Sequence, residues 1–213
     1  MSLLLLIENG VVPGWEAEYD AWHGGEHVPE RLSVPGFRWA ARYAADGPRW
    51  LTLYRIDGPW ALESAAYRIQ LDDPTPWSRR MRAAMTSVSR RVMEIAEEAG
   101  EGIGPLLAAA LRDALPGEAT KGLRARWRLL PARHGPAHPV FGSPADNGTQ
   151  IVATADRPRA LEGFGGACWR LLAVHTPAAQ AWRPAPRLAE MEQWVARGGQ
   201  PVTPPPAAPP GCG

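Results

Sequence analysis

The chain opens on Leu3-Leu4-Leu5-Leu6-Ile7, a continuous apolar run closed by Glu8-Asn9-Gly10, which is the pattern of a short strand over residues 2 to 9 covered on at least one face. After Val11-Val12-Pro13-Gly14 the period changes. Trp15, Tyr19 and Trp22 recur at spacings of four and three, predicting a helix from Trp15 to about Leu32 that Pro35-Gly36 ends. Arg38 to Ala44 and Arg49 to Ile56 read as two strands of a hairpin about Ala45-Asp46-Gly47-Pro48, and in the second Trp50, Thr52, Tyr54 and Ile56 alternate with Leu51, Leu53 and Arg55. A second helix through Leu62, Ala65, Ala66 and Ile69 breaks at Asp72-Asp73-Pro74-Thr75-Pro76 and resumes from Trp77 to Met85. Ser87 to Glu97 closes the unit as a strand.

The predicted order β, α, β, β, α, β is an α+β, ferredoxin-like split βαβ unit, in which two helices cover one face of a four-stranded antiparallel sheet. The other face is left open and needs a partner. Either a second subunit, giving a homodimer, or a second module in the same chain, giving an intrachain pseudo-dimer, can supply it. The second half is less regular. Gly104 to Leu115 is apolar and fits a helix or a strand, whereas Arg124 to Arg133, Gln150 to Ala155 and Cys168 to Thr176 look like strands. Trp50 to Glu63 and Gln150 to Glu162 share a strand, a turn with Pro and an Ala-Leu-Glu triplet, so a degenerate second copy is one reading. Arg187 to Ala196 fits a last short helix, and PVTPPPAAPPGCG reads as a flexible or polyproline tail. The expected units are residues 1–98, a first module; 99–197, a degenerate second one; and 198–213, the tail.

Composition adds limits. Hydrophobic residues make up 45% and charged residues 21% of the 213, so the chain can bury a core, and a net charge of +1 gives no field to draw it onto nucleic acid or an anionic membrane. A small neutral partner is the natural expectation. The opening apolar run is too short to span a bilayer and lacks the flanks of a signal peptide. The two cysteines, Cys168 and Cys212, offer neither metal spacing nor a disulfide framework, so a reducing cytoplasm is the expected setting.

The stretch Tyr19-Asp20-Ala21-Trp22-His23-Gly24-Gly25-Glu26-His27-Val28-Pro29-Glu30-Arg31, followed by Pro35-Gly36-Phe37 and Arg42-Tyr43, resembles the EthD-like branch of the dimeric α+β barrel superfamily. Leu53-Tyr54, Ala66-Tyr67 and Pro74-Thr75-Pro76-Trp77 extend the likeness over most of residues 2 to 97. It implies an acid-base or ligand pocket between sheet and helices, faced by the His of the Glu-His-x-Pro element. Relatives include polyketide cyclases, lactone isomerases, cofactor-free monooxygenases and haem-handling proteins, so the fold does not choose the chemistry.

His23 and His27 stand four residues apart and, with Tyr19 and Arg31, share one helical face. Either imidazole can exchange protons near neutral pH, with Glu26 or Glu30 to orient it. The resemblance singles out His27; the plainer reading is that these side chains only tie helix to sheet. The same residues spell H-x-x-E-H, a helical zinc pattern. Gly24-Gly25 weaken a helix by about 1 kcal/mol each relative to Ala, and no downstream ligand helix is evident, so no metal is expected.

Tyr19, Trp22, Tyr43, Tyr54, Tyr67 and Trp77 are candidate walls for a flat ligand, or ordinary core, and Arg42 is a candidate for neutralising a ligand oxygen. Gly163-Phe164-Gly165-Gly166 reads as a turn, and spacing gives no role to His134, His138 or His175. The expectation is an enzyme or enzyme-like protein moving a proton on an aromatic or polyketide-type metabolite, as a cyclase, isomerase or cofactor-free monooxygenase does. His27 is the acid-base residue, and His23 and Glu26 tune it. No tightly bound cofactor is needed. The alternatives are a haem- or small-ligand-binding protein and a non-catalytic assembly protein.

Overall fold

A computed structural model describes residues 2–111, 122–132, 148–164 and 167–177. The Arg187 to Ala196 helix, the Pro-rich tail, His134 and His138 lie outside the described residues. The first half runs β1 (Leu3–Val11), α1 (Glu16–Trp22), a π-helical turn (His23–His27), α2 (Val28–Leu32), β2 (Phe37–Ala44), β3 (Arg49–Ile56), α3 (Pro59–Glu63), α4 (Ala65–Asp72), α5 (Pro76–Ala84) and β4 (Met85–Gly100). The second runs β5 (Leu106–Leu111), β6 (Leu123–Pro131), β7 (Gln150–Ala155), a 3₁₀ turn (Pro158–Leu161) and β8 (Cys168–His175). Gly104 to Leu115, open between helix and strand in the sequence, supplies β5.

All pairings are antiparallel, and the strands close a barrel in the order β1-β3-β2-β8-β5-β7-β6-β4. Within each half the fourth strand pairs the first, the first the third and the third the second. The face of the first sheet turned away from the helices is therefore covered by strands of the same chain. Leu4, Tyr43, Leu53 and Met93 meet Leu107, Trp127, Val152 and Trp169 in one interior, a contribution from every strand.

β1 is apolar without alternation because both of its faces are buried. Leu4 and Leu6 point into the barrel, and Leu3 and Leu5 point to the helices. β3 alternates as the sequence suggested, with Leu51 and Leu53 inside and Tyr54 and Ile56 beneath the helices. On the second sheet Leu161 and Phe164 pack against Ile151 and Ala153, so the Gly163-Phe164 segment also anchors a small outer core.

The helix read as continuous from Trp15 to Leu32 is three pieces. At Val28 the backbone N–H reaches the His23 carbonyl, five residues back, the bond of a π turn. Pro29 has no N–H to offer Gly25 in the ordinary ladder, and two glycines supply little helix preference, so the wider turn forms here. After α2, Gly36 at φ +93° ends the segment; a Cβ there would lie 2.7 Å from the Trp60 ring.

Cys168 is disulfide-bonded, which departs from the expectation that the two cysteines offer no disulfide framework. Sequence spacing does not report the spatial proximity on which pairing depends. Among the described residues no helix is long and apolar enough to cross a membrane.

Candidate ligand site

A cavity of about 40 Å³ lies between the helices and the outer face of β1, β3 and β4. Each wall follows from local structure. The strand period turns Leu5 and Ile7, Tyr54, and Arg90 to this side, and the helical face that bears Trp22, His23, His27 and Arg31 closes over them. Tyr67 from α4, Arg82 from α5 and Met85 at the start of β4 complete the lining.

Five of the sequence candidates meet here: Trp22, His23, His27, Tyr54 and Tyr67. The imidazoles of His23 and His27 are 5.3 Å apart between centroids, and His27 stacks on Trp22 at 4.6 Å. Trp22 is fixed in turn, since its indole N–H donates to Ser78 Oγ at 3.1 Å.

Five others do not line the cavity. Glu26 turns toward α5, where its Oε1 accepts from Ser78 Oγ at 3.0 Å and from Thr75 Oγ1. It ties the π turn to α5 and, through Ser78, to Trp22. Tyr19 stands behind His23 at 5.1 Å between ring centroids, its hydroxyl donating to Asn9. Arg42 is buried in an ion pair with Asp20 at 2.6 Å, and Trp50 donates to the same carboxylate oxygen. Tyr43 points to the opposite face of the sheet, into the barrel, and donates to the Gly104 carbonyl. That is the alternation along β2: Arg42 and Tyr43 are neighbours in sequence and lie on opposite faces. Trp77 donates to Glu18 at the outer side of α1.

Burial holds His23 well below the ordinary imidazole value, and the positive charge of Arg42, the nearby His175 and Arg31 reinforce this. His23 is therefore neutral at pH 7, and its Nδ1 is buried with no hydrogen-bond partner among the described residues. Burial also pushes the Tyr54 phenol far up, so it stays protonated, and its hydroxyl likewise has no partner among the described residues. A neutral nitrogen and an unused hydroxyl thus border one small cavity.

Sequence reasoning missed three contributors. Arg82 and Arg90 line the cavity, yet arginine is the commonest charged residue of this chain and carries no signal alone. His175 belongs to the second half. β8 pairs Ala40 with His175, and because Ala40 packs beneath the helices, His175 arrives on that side of the sheet, beside His23. Only the β2–β8 pairing brings it there.

Sites for drug-sized ligands typically occupy ~300–1,000 Å³. A haem belongs to that size class, so the cavity as folded does not fit one even though two imidazoles face it. Among the described residues no group of three or more His, Cys, Asp or Glu is placed to hold a metal ion.

No protein-family model matches the sequence, and no curated protein matches it. Among solved structures, an anthrone oxidase-like protein superposes with a TM-score of 0.55 at 11% identity, over 86% of this chain and 96% of its own. A candidate monooxygenase from Fusobacterium nucleatum subsp. nucleatum gives 0.52 at 9% identity, over 85% and 97%. At such identities the likeness is one of fold: the chain shares the α+β architecture of these proteins, here an eight-stranded antiparallel barrel with helices outside it.

Proposed function

We propose that this chain is a small-molecule enzyme that moves a proton on an aromatic or polyketide-type metabolite held between the helices and the first sheet. The observation that carries the reading is the convergence of His23, His27 and the unused Tyr54 hydroxyl on one cavity. His23, neutral by burial, accepts a proton from an acidic C–H of the ligand. The electron pair left behind moves to the conjugated oxygen, which the positive charge of the cavity wall stabilises. The proton passes from His23 to His27, 5.3 Å away between ring centroids, and His27 returns it to the ligand; its stacking on Trp22 fixes its plane.

Glu26 and Arg42 are positioning residues in this scheme. Glu26 acts through Ser78 and Trp22, and Arg42 adds its positive charge to the burial that keeps the imidazole of His23 unprotonated. The name of one protein of like fold, an anthrone oxidase-like protein, is in keeping with a ligand that is an enolisable aromatic ketone. The cavity volume favours one ring over three, unless the half-buried Arg82 and Met85 move aside.

We also infer that the second half is a degenerate copy of the first, and that the barrel is an intrachain pseudo-dimer whose first half belongs to the EthD-like branch. Support comes from the repeated strand order and from the Glu26-His27-Val28-Pro29 and Pro35-Gly36-Phe37 elements.

The test is solvent exchange. Phenylacetone and anthrone are incubated with the protein in D₂O, and deuterium entering the acidic methylene is followed by NMR. Catalysed exchange is expected, falling by ~10²-fold or more in folded His23→Gln and His27→Ala variants. Exchange at the uncatalysed rate for both ketones, or unchanged in both variants, would remove the proton-transfer assignment.

A further inference from the structure

The cavity lining holds three guanidinium groups, Arg31, Arg82 and Arg90, and no carboxylate. Arg31 is buried beneath Tyr67, with its guanidinium 5.2 Å from that ring centroid, and donates to the side-chain oxygen of Gln70. Arg82 donates to the Leu71 and Gln70 carbonyls at 3.3 and 3.2 Å. Every one of these acceptors is neutral. Neither Arg31 nor Arg82 forms an ion pair with a carboxylate among the described residues.

Arg82 is held below its usual range by burial first, then by repulsion from Arg31; the opposing attraction of Glu30 is weaker than that repulsion. Counting Glu30 against Arg31 and Arg82 alone still leaves this side of the cavity positively charged. Charge placed in a poorly solvated site without a counter-charge lowers stability, and a bound anion relieves that. The remaining walls, Leu5, Ile7, Trp22 and Met85, are apolar.

We propose that the ligand of this cavity is an anion, a carboxylate on a small apolar body, with the carboxylate held by Arg31 and Arg82 and accepting the Tyr54 hydroxyl proton in a hydrogen bond. The planar fork of a guanidinium matches the two oxygens of a carboxylate, and a protonated phenol adds a third donor. Tyr54 is suited to this because its buried hydroxyl borders the cavity with no partner among the described residues. The apolar body then lies toward Leu5, Ile7 and Trp22, with the imidazoles of His23 and His27 alongside it. The inference rests on the cavity being a ligand site, as proposed above, and narrows the class of ligand.

Titration calorimetry of the full chain with benzoate, with benzamide as the neutral isostere, and with inorganic phosphate tests it. Benzoate is expected to bind at least tenfold more tightly than benzamide, with that preference lost in Arg82→Gln and reduced in Tyr54→Phe. Circular dichroism establishes that both variants are folded, and two variants guard against one failing to fold. Equal binding of benzoate and benzamide overturns the anion assignment and leaves a ligand pocket standing. Phosphate binding without benzoate binding overturns the carboxylate. If neither aromatic probe binds while deuterium exchange on ketones persists, the anion inference falls alone; if both fail, the cavity is not a ligand site.

Discussion

At the scale of single residues, burial keeps one imidazole of the cavity neutral. The folded state lowers the proton affinity of His23, and that of His175 to the same side, through burial and the charge of Arg42. The unfolded chain therefore binds more protons than the folded one below the ordinary imidazole value of about 6.5, and stability is lost as pH falls through it. Unfolding in urea is expected to show this loss between about pH 6.5 and 5, with a slope of at most ~1.4 kcal/mol per pH unit for each proton. His23→Gln should flatten the dependence. An unchanged slope in that variant would mean that His23 is accessible to protons in the folded protein.

Glu26 illustrates a different residue-level role. Its carboxylate binds the Thr75 and Ser78 hydroxyls, and Thr75 also caps α5 by accepting from the Ser78 N–H at 2.9 Å. Thr75→Ala removes the cap and one partner of the buried carboxylate together. A loss of roughly 1–3 kcal/mol in chemical denaturation is expected.

Among the elements, the π turn separates two adjacent glycines with opposite requirements. A Cβ on Gly24 would sit 2.9 Å from Arg42 Nη1, whereas one on Gly25 meets nothing within 4 Å. Alanine is favoured over glycine in a helix by about 1 kcal/mol, and that preference should appear at Gly25. Gly25→Ala is expected to stabilise by up to that amount. Gly24→Ala displaces Arg42 from its Asp20 pairing or opens the turn, and should destabilise. Thermal melts of the two variants that move the same way would show that the Arg42 contact does not constrain the turn.

For the whole molecule the governing fact is closure within one chain. Removing the second half would leave β2 and β4 with unpaired edges and uncover Leu4, Tyr43, Leu53 and Met93. A fragment of residues 2–104 is expected to dimerise, re-forming a barrel from two copies, or to aggregate. Light scattering that found a folded monomer would contradict the argument. Within the intact chain Trp127, at the centre of the shared interior, should cost about 3–5 kcal/mol when cut to alanine, as a cavity opens that neither half can fill.

The first half was legible because its periodicities are local. The strand alternation of β3, the helix breaks at Pro and Gly, and the four-residue spacing of His23 and His27 all follow from backbone geometry acting over a few residues. The same spacing placed Arg31 on the face that lines the cavity. The sequence by itself determined that an aromatic, histidine-bearing helix would pack on a four-stranded sheet with one face left open.

Only the tertiary structure decided what closes that face and which side chains share the cavity. Strand pairing joins residues more than a hundred positions apart, and no local period encodes the choice between a second subunit and β5–β8. The β2–β8 register brought His175 beside His23, and the packing of α5 and β4 against the first sheet turned Arg82 and Arg90 toward His23 and His27. The charge of the site is a property of that convergence, since arginines spread along the chain become a cationic pocket only where the folded backbone gathers them.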